Sequence, residues 1–520
     1  MIKFETLRNK LKLIKKNKEF FFNQKTKNQK KILVEHYELT GGLIPFSYFA
    51  NVLSKKYNAD IYSYKVNYYN FFQKIRFIIK NLYLVGNYNI YKSFGTKKLI
   101  LPEYKSNKNT EKFYFQIKKN IKKKDDVLKI KFKNIKLGEF IYDEYLRSFN
   151  LSTIDVKSNH FHNYLKHVIK LCYFWDKTLV SNEIKALIIS HSTYLLGLVA
   201  TIAIYKGIPV YRVSTSSTFY LTKKFPRSYS DFSNYKQIAK KISIRKKRDL
   251  LIKSKLKNLK FFLGNNINSH KLKKKNNVKF DNLTILISAH CFTDAVHPHG
   301  LKNCFSDFYE WLDYLGKFSK KTNHNWIIKL HPQEYDDNFN KIQYFLKKYP
   351  KFKLLNKDIK NKSLINKIDI VLTVYGSVGR EFPLFNIPVI NASTCGPHCG
   401  YKFNYHFDDI KKYDHALKNL KKFIQNFKSN KKDIFELFYM RYYIDYSFYY
   451  NADFAIDLNE NFRVGKINHE DMISIWLKIA NNRLHNKIYK NVEKFIESKQ
   501  NRFTADNTKE YSEFMPIKFK

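Results

Sequence analysis

KALIISHSTYLLGLVATIAIYKGIPVYRV, residues Lys185–Val213, holds a complete strand–helix–strand unit. Ala186 to Ile189 are apolar without interruption, the pattern of a strand buried on both faces. His191, Ser192 and Thr193 follow, polar residues that end the strand and can cap what comes next. Leu195 to Tyr205 is apolar all round, which predicts a buried helix, and Gly207 stops it. Ile208 to Val213 reads as the next strand. Two strands joined through a helix run parallel with a right-handed crossover, so this unit commits the chain to an α/β fold.

The same alternation extends in both directions. Upstream, Ile32 to Val34 predict a strand and Gly41-Gly42 a tight turn, with helical spacing through Phe46, Phe49, Ala50 and Leu53. Residues 1–30 read as a basic helix that precedes a first Rossmann-like domain, 31–239. From Lys240 to about Lys275 the chain turns lysine-rich and poor in apolar residues, which marks 240–278 as an insertion and linker. Beyond it the pattern restarts over 279–434. NLTILISAH, NWIIKL, KIDIVLTVY and IPVINAS read as strands, and FSDFYEWLDYLGKFSKK as a helix. Residues 435–520 form an aromatic, helical extension. Two Rossmann-like parallel sheets facing across a cleft are the architecture of GT-B glycosyltransferases.

At 520 residues the chain exceeds one ordinary core, and 44% hydrophobic content is enough to bury two. The net charge of +52 comes from lysines scattered throughout, accompanied by abundant Asn, Ile, Phe and Tyr, as an AT-rich coding bias produces. Scattered lysines make a solvated surface rather than a nucleic-acid groove, and they favour phosphates, nucleotide donors and acidic lipid faces as partners. Five dispersed cysteines argue against a disulfide framework and for a reducing compartment. CGPHCG (Cys395–Gly400) invites a zinc reading, but one such cluster falls short of four ligands, so no metal is expected. No run reaches the ~18 apolar residues of a membrane span, and the basic N-terminus lacks the apolar core of a signal peptide. That N-terminus reads either as a solvated helix or as an amphipathic one lying on anionic lipid. The expected location is cytoplasmic, with peripheral contact at the inner face of the membrane.

Three loops at strand ends in the second half carry the chemistry. SAHCFTDAVHPHG (Ser288–Gly300) presents His290, Thr293, Asp294, His297 and His299. KLHP (Lys329–Pro332) closes an apolar strand with a cation, an imidazole and a proline. Proline lacks the ladder donor, so the strand stops there and leaves Lys329 and His331 near its carboxyl edge, where open α/β sheets bind ligands. VLTVYGSVGREFPLFNIPVI (Val371–Ile390) runs a buried strand into Gly376-Ser377 and a helix start. There glycine admits close approach, Ser377 caps or donates, and the first-turn amides suit phosphate. Glu381, one turn further, sits where a carboxylate can accept from ribose hydroxyls. Together Lys329, His331 and the Ser377 helix end are expected to converge on a diphosphate-like anion. The acceptor should lie in the first half, with a general base for its hydroxyl. Glu38 is favoured over Asp143, Asp294 is a third candidate, and His36 and His191 also stand at strand ends. Gly41 and Gly42 would let a substrate approach the backbone. Asp143 and Arg147, at i,i+4, read equally well as a helix-surface pair.

KLHP followed by a serine-bearing strand-to-helix turn resembles the pattern of bacterial surface-polysaccharide glycosyltransferases. Sialyl- and polysialyltransferases, Kdo transferases of capsule export and teichoic acid glycerophosphotransferases share versions of it. LGEFIYDEYLR, ISHSTYLLG, SAHCFTDAVH, FSDFYEWL and YGSVGREFPLFNIPVINAS also resemble capsule and surface-polysaccharide biosynthesis proteins. The resemblance covers roughly residues 30 to 400. It implies a GT-B fold and transfer from a nucleotide-activated sugar, bound as substrate with no other cofactor, to a lipid-linked or glycan acceptor. It also implies that His331 and Ser377 contact the nucleotide and its phosphate. Gly376-Ser377 stands where those families often carry paired Ser/Thr, which leaves a CMP-linked donor open. No DxD-type metal motif stands at a strand end, since KKDDVL lies in a polar run, so phosphate is expected to be handled without metal. A sugar-nucleotide epimerase or hydrolase on the same fold, and a basic nucleic-acid-binding protein, are the alternatives.

Overall fold

The structure, a computed structural model, describes residues 4–21, 29–37, 42–82, 86–215, 217–227, 235–241, 252, 255, 280–331, 336–356, 358–396, 398–445, 448 and 469–504. Glu38, Gly41 and nearly all of the lysine-rich stretch therefore lie outside the described residues. In the first half, strands β1 (Lys31–Glu35), β2 (Asp60–Tyr64), β3 (Thr96–Ile100), β4 (Ile184–Ile189), β5 (Val210–Val213) and β6 (Thr218–Leu221) pair in the order β3-β2-β1-β4-β5-β6. All are parallel except β6, which runs antiparallel to β5. β5 begins two residues later than the sequence pattern suggests: the Pro209 carbonyl accepts from Leu187, but proline has no N–H to return.

The second half repeats the plan. Strands β7 (Thr284–Ser288), β8 (Asn325–Lys329), β9 (Phe352–Leu354), β10 (Ile370–Thr373), β11 (Val389–Asn391) and β12 (Tyr405–His406) pair in the order β9-β8-β7-β10-β11-β12, all parallel. Each sheet thus has the doubly wound strand order and reverses once, between β1 and β4 and between β7 and β10. Such reversals open a ligand crevice beyond the strands' carboxyl ends. Two such domains in one chain make the expected GT-B fold.

The helices that matter here are α1 (Phe4–Phe21), α2 (Leu43–Tyr57), α3 (Phe71–Leu82), α4 (Gly138–Ser148), α5 (Tyr194–Tyr205), α6 (Phe308–Ser319), α7 (Val378–Glu381), α8 (Lys431–Tyr442), α9 (His469–Ile479) and α10 (Asn482–Ser498). One buried apolar cluster runs from Phe140 and Leu198 in the first half to Val296, Phe308 and Trp311 in the second. Asp307 ties the halves as well. Its Oδ1 caps α6 by accepting from Glu310 N at 2.7 Å, while Oδ2 accepts from Tyr142, Thr153 and Lys124 at 2.6, 2.7 and 3.0 Å.

The C-terminal helices cross back. α8 packs on the second half against Tyr401 and Phe403, but α9 and α10 return to the first. There Trp476, Leu484 and Phe495 pack with Phe46, Phe49 and Leu53 of α2. α1, a candidate lipid-surface helix by sequence, packs against α9 and the helix Asn87–Ser93; Leu13 is buried, and Asn17 Nδ2 donates to Ser93 Oγ at 3.0 Å. No helix among the described residues is long and apolar enough to cross a membrane.

Candidate active site

At the switch point of the first sheet a cavity of about 940 Å³ opens, lined by Glu35, Lys65, Arg76, Glu144, Arg147 and His191 among others. β1 creates it by alternation. Ile32 and Val34 face one apolar cluster and Leu33 the other, so Glu35, the strand's last residue, falls on the Leu33 side at the sheet's edge. Its carboxylate accepts from Ser190 N at 2.5 Å. Burial pushes its pKa up to about 7, against the opposing pull of Ser190, Lys65 and Arg212. Glu144, on α4, accepts from Tyr69, from Ser148 and from Leu195 N, and burial raises it too. His191 accepts or donates at Nδ1 to Ser190 Oγ at 2.7 Å; burial and then Arg212 push it down to about 4, so it is neutral near pH 7. The cavity therefore offers a carboxylate that titrates near neutrality beside guanidinium and ammonium groups. That suits a hydroxylated substrate carrying negative charge.

Tyr194 links this cavity to the second half. It opens α5 with a φ of +56°, a left-handed conformation costly for a bulky residue. Its hydroxyl donates to Asp294 Oδ1 at 2.8 Å and accepts from Ala295 N at 3.0 Å. Asp294 thus stands exposed on the interdomain side of its loop, where its charge also reaches His191.

The other expected candidates take different places. Asp143 is buried, and its two oxygens accept from His297 Nδ1 at 2.7 Å and His297 N at 3.0 Å. It is an interdomain clasp, strengthened by Arg227, which donates to the His297 carbonyl and pairs with Glu139. Of the neighbouring carboxylates on α4 it is Glu144, not the candidate Asp143, that lines the cavity. Gly42 has a φ of −73°, which any residue adopts; it is small because a Cβ there would lie 2.8 Å from the Tyr37 ring. Thr293 is buried, with its hydroxyl 3.3 Å from Cys291 Sγ.

His290 supports the serine turn from inside. It stacks on Phe308 at 4.3 Å, and its Nε2 lies 3.1 Å from Thr373 Oγ1 and 3.3 Å from Val374 N. Burial, with the nearby His331 adding to it, pushes its pKa down to about 3. From below, His398 Nε2 donates to the Gly376 carbonyl at 3.0 Å. Gly376 itself is needed for space, since a Cβ would meet Thr373 Oγ1 at 2.8 Å.

Around this turn the strand ends of β8 and β10 bring the expected groups together. Ser377 Oγ donates to Glu381 Oε1 at 3.2 Å, and Asn361 Nδ2 donates to Glu381 Oε2 at 2.7 Å. Lys329 Nζ donates to Asn361 Oδ1 at 2.7 Å and to the Ile359 carbonyl at 2.6 Å. Lys329 therefore holds Asn361, and through it Glu381, while burial lowers its pKa and Glu381 opposes that. His331, half-buried, stands at the same edge close enough to His290 to influence its charge. α7 is a single turn, Val378–Glu381, so few peptide dipoles align behind the Ser377 end.

Cys395 points at the His299 carbonyl (3.4 Å) and Cys399 at His406 Nδ1 (3.9 Å). Among the described residues no group of three or more His, Cys, Asp or Glu side chains is placed to hold a metal ion. Sequence reasoning missed Glu35 and Glu144. Glu35 could have been found by the rule that singled out Lys329, a charged residue closing an apolar strand.

No protein-family model and no curated protein matches the chain. Among solved structures it is similar to the UDP-GlcNAc 2-epimerase from Neisseria meningitidis, 12% identical over 79% of this chain and 97% of that one, with a TM-score of 0.25. A glycosyltransferase from Rickettsia africae is 11% identical over 90% and 99%, with a TM-score of 0.25. The KpsC β-Kdo 2,4-transferase of Thermosulfurimonas dismutans is 10% identical over 50% and 80%, with a TM-score of 0.30. Likenesses this distant carry no argument of their own. The fold stands on the strand orders, and the function on the site.

Proposed function

We propose that the chain is a glycosyltransferase that moves a sugar from a nucleotide-activated donor to an acceptor hydroxyl of a capsule, lipopolysaccharide or other surface glycan. The observation that carries this is Glu35, a carboxylate held near pKa 7 in a 940 Å³ cavity at the first sheet's switch point. The nucleotide lies across the edge of β8 and β10, its ribose hydroxyls donating to Glu381. In an inverting displacement Glu35 takes the acceptor's hydroxyl proton as that oxygen attacks the anomeric carbon. The bond from that carbon to the phosphate oxygen breaks, and His331 with the Ser377 end of the turn meets the charge left on phosphate. Lys329 acts one step back, by holding Asn361 against Glu381. In this reading these groups meet the phosphate charge without a metal.

Two measurements test this. A ligand bound only by the folded state raises the melting temperature, so in a comparison of CMP, CDP, UDP and GDP one of the three pyrimidine nucleotides should stabilise the protein. His331→Ala should abolish that shift, and an unchanged shift would remove the role given to His331. A base must be deprotonated to act, so kcat/KM should rise with pH through about 7 and level off above it. Glu35→Gln should lower kcat by roughly 10²–10⁴-fold and erase that rise. Retention of the rise would move the base elsewhere, Asp294 and Glu144 first. Consumption of a nucleotide sugar with no acceptor present would instead indicate an epimerase or hydrolase.

A further inference from the structure

α3 carries an apolar face that nothing among the described residues covers. Phe71 and Phe72 are 69% and 79% exposed, and Ile79 is 50% exposed. With Ile75 they recur at steps of one and four and so share one side of the helix, while Phe77 turns inward and is buried. Exposed aromatic and aliphatic residues gathered on one helix are not ordinary surface. Their flanks are cationic: Lys74 borders the stripe on one side, Arg76 and Lys80 on the other. Beside the helix opens a second cavity of about 750 Å³, whose lining includes Phe71 together with Lys74, Lys105, Lys166 and Lys170. Arg76, Phe77 and Lys80 line the 940 Å³ cavity at the same time. One helix thus joins an unburied apolar stripe, a lysine-rich recess and the mouth of the candidate active site.

We infer that α3 seats the protein on an anionic membrane surface, with its apolar stripe among the acyl chains and lipid phosphates at the neighbouring lysines. Charge decides between occupants. A second copy of this chain, at +52, would bring more positive charge to a cationic rim, whereas an acidic lipid face complements it. Arg76 and Lys80 belong both to the rim of this pose and to the lining of the 940 Å³ cavity, so on the transferase reading an acceptor held at the membrane surface comes within reach of that cavity; the docking does not rest on that reading. Leu13 of α1 packs inside, so the docking argued here rests on α3.

The test is co-sedimentation of the full chain with vesicles of phosphatidylcholine alone and of equal parts phosphatidylcholine and phosphatidylglycerol. The protein should pellet with the mixed vesicles and not with the neutral ones. Phe71→Ser/Phe72→Ser should weaken binding at least ~10-fold, as removal of two inserted aromatic rings implies. Lys74→Glu/Lys170→Glu should weaken it comparably, and more so at low salt. Phe339→Ser/Tyr344→Ser, which removes exposed rings from another helix, should leave it unchanged. Every variant should keep the wild-type melting temperature and its nucleotide-induced rise; if the double aromatic variant does not fold, Phe72→Ser alone is read. Undiminished binding by the aromatic variants, or a wild-type dimer that they dissociate with vesicle binding intact, overturns the inference. Vesicle binding is scored apart from catalysis, so a failure of the Glu35 role and a failure of docking are distinguishable.

Discussion

Asp143 and Glu144 stand about 100° apart around α4, and that rotation separates a structural carboxylate from a candidate functional one. Asp143 turns to the second half and accepts twice from His297; Glu144 turns to the cavity and to Tyr69. Removing one partner of a buried, hydrogen-bonded pair leaves the other unsatisfied. Asp143→Ala is therefore expected to cost roughly 3 kcal/mol, read as a lower denaturant midpoint. Asp143→Asn, which can still accept from His297 Nδ1 or its backbone N–H, should cost less; equal losses would show that shape rather than hydrogen bonding holds the clasp. YDEYLR displayed both carboxylates, but helical periodicity does not reveal which side meets a cavity. Glu38, the favoured strand-end carboxylate, lies outside the described residues, while the strand's own terminal residue, Glu35, carries the perturbed carboxyl.

At the scale of elements, the serine turn is a short piece of backbone held from two sides. His290 accepts from the Val374 and Tyr375 amides, Thr373 Oγ1 accepts from the Gly376 amide and His398 donates to the Gly376 carbonyl, so the backbone leading into Ser377 is fixed before any ligand arrives. A backbone held in this way meets developing charge at its Ser377 end without reorganising. Gly376→Ala places a Cβ 2.8 Å from Thr373 Oγ1, and that hydroxyl is part of the support. The substitution should cost roughly 1–3 kcal/mol and remove the nucleotide-induced rise in melting temperature, while vesicle binding through α3 stays unchanged. A full rise in that variant would show that the turn does not touch the nucleotide. The element was legible because glycine and serine between an apolar strand and a helical pattern admit few readings. Its props were not, since His290 and His398 lie 108 residues apart in the sequence and meet only in the folded sheet. The one-turn length of α7 was likewise hidden, because FPLF continues helical spacing into what is a 3-10 turn.

At the scale of the molecule, alternation of strands and helices revealed both sheets, since each buried parallel strand is a short apolar run bounded by punctuation. The return of α9 and α10 to the first half was not legible: their aromatic residues announce burial without saying against which domain. That return, the apolar cluster spanning both halves and the Asp307 tether link the two domains, and the expected consequence is that they unfold as one cooperative unit. Trp476 tests this. It is 2% exposed and meets Tyr48 of α2 edge-on at 6.1 Å, so Trp476→Ala opens a cavity beneath the first sheet's helices. The loss should be roughly 3–5 kcal/mol, the usual range for deleting a buried aromatic. If the halves unfold together, urea titration will show a single transition moved to lower concentration with its slope unchanged, whether followed at the first half or through nucleotide bound to the second. Two separated transitions, with the nucleotide-binding half holding its wild-type midpoint, would mean that the C-terminal helices stabilise one domain alone and that the cleft between the halves is free to open without unfolding either.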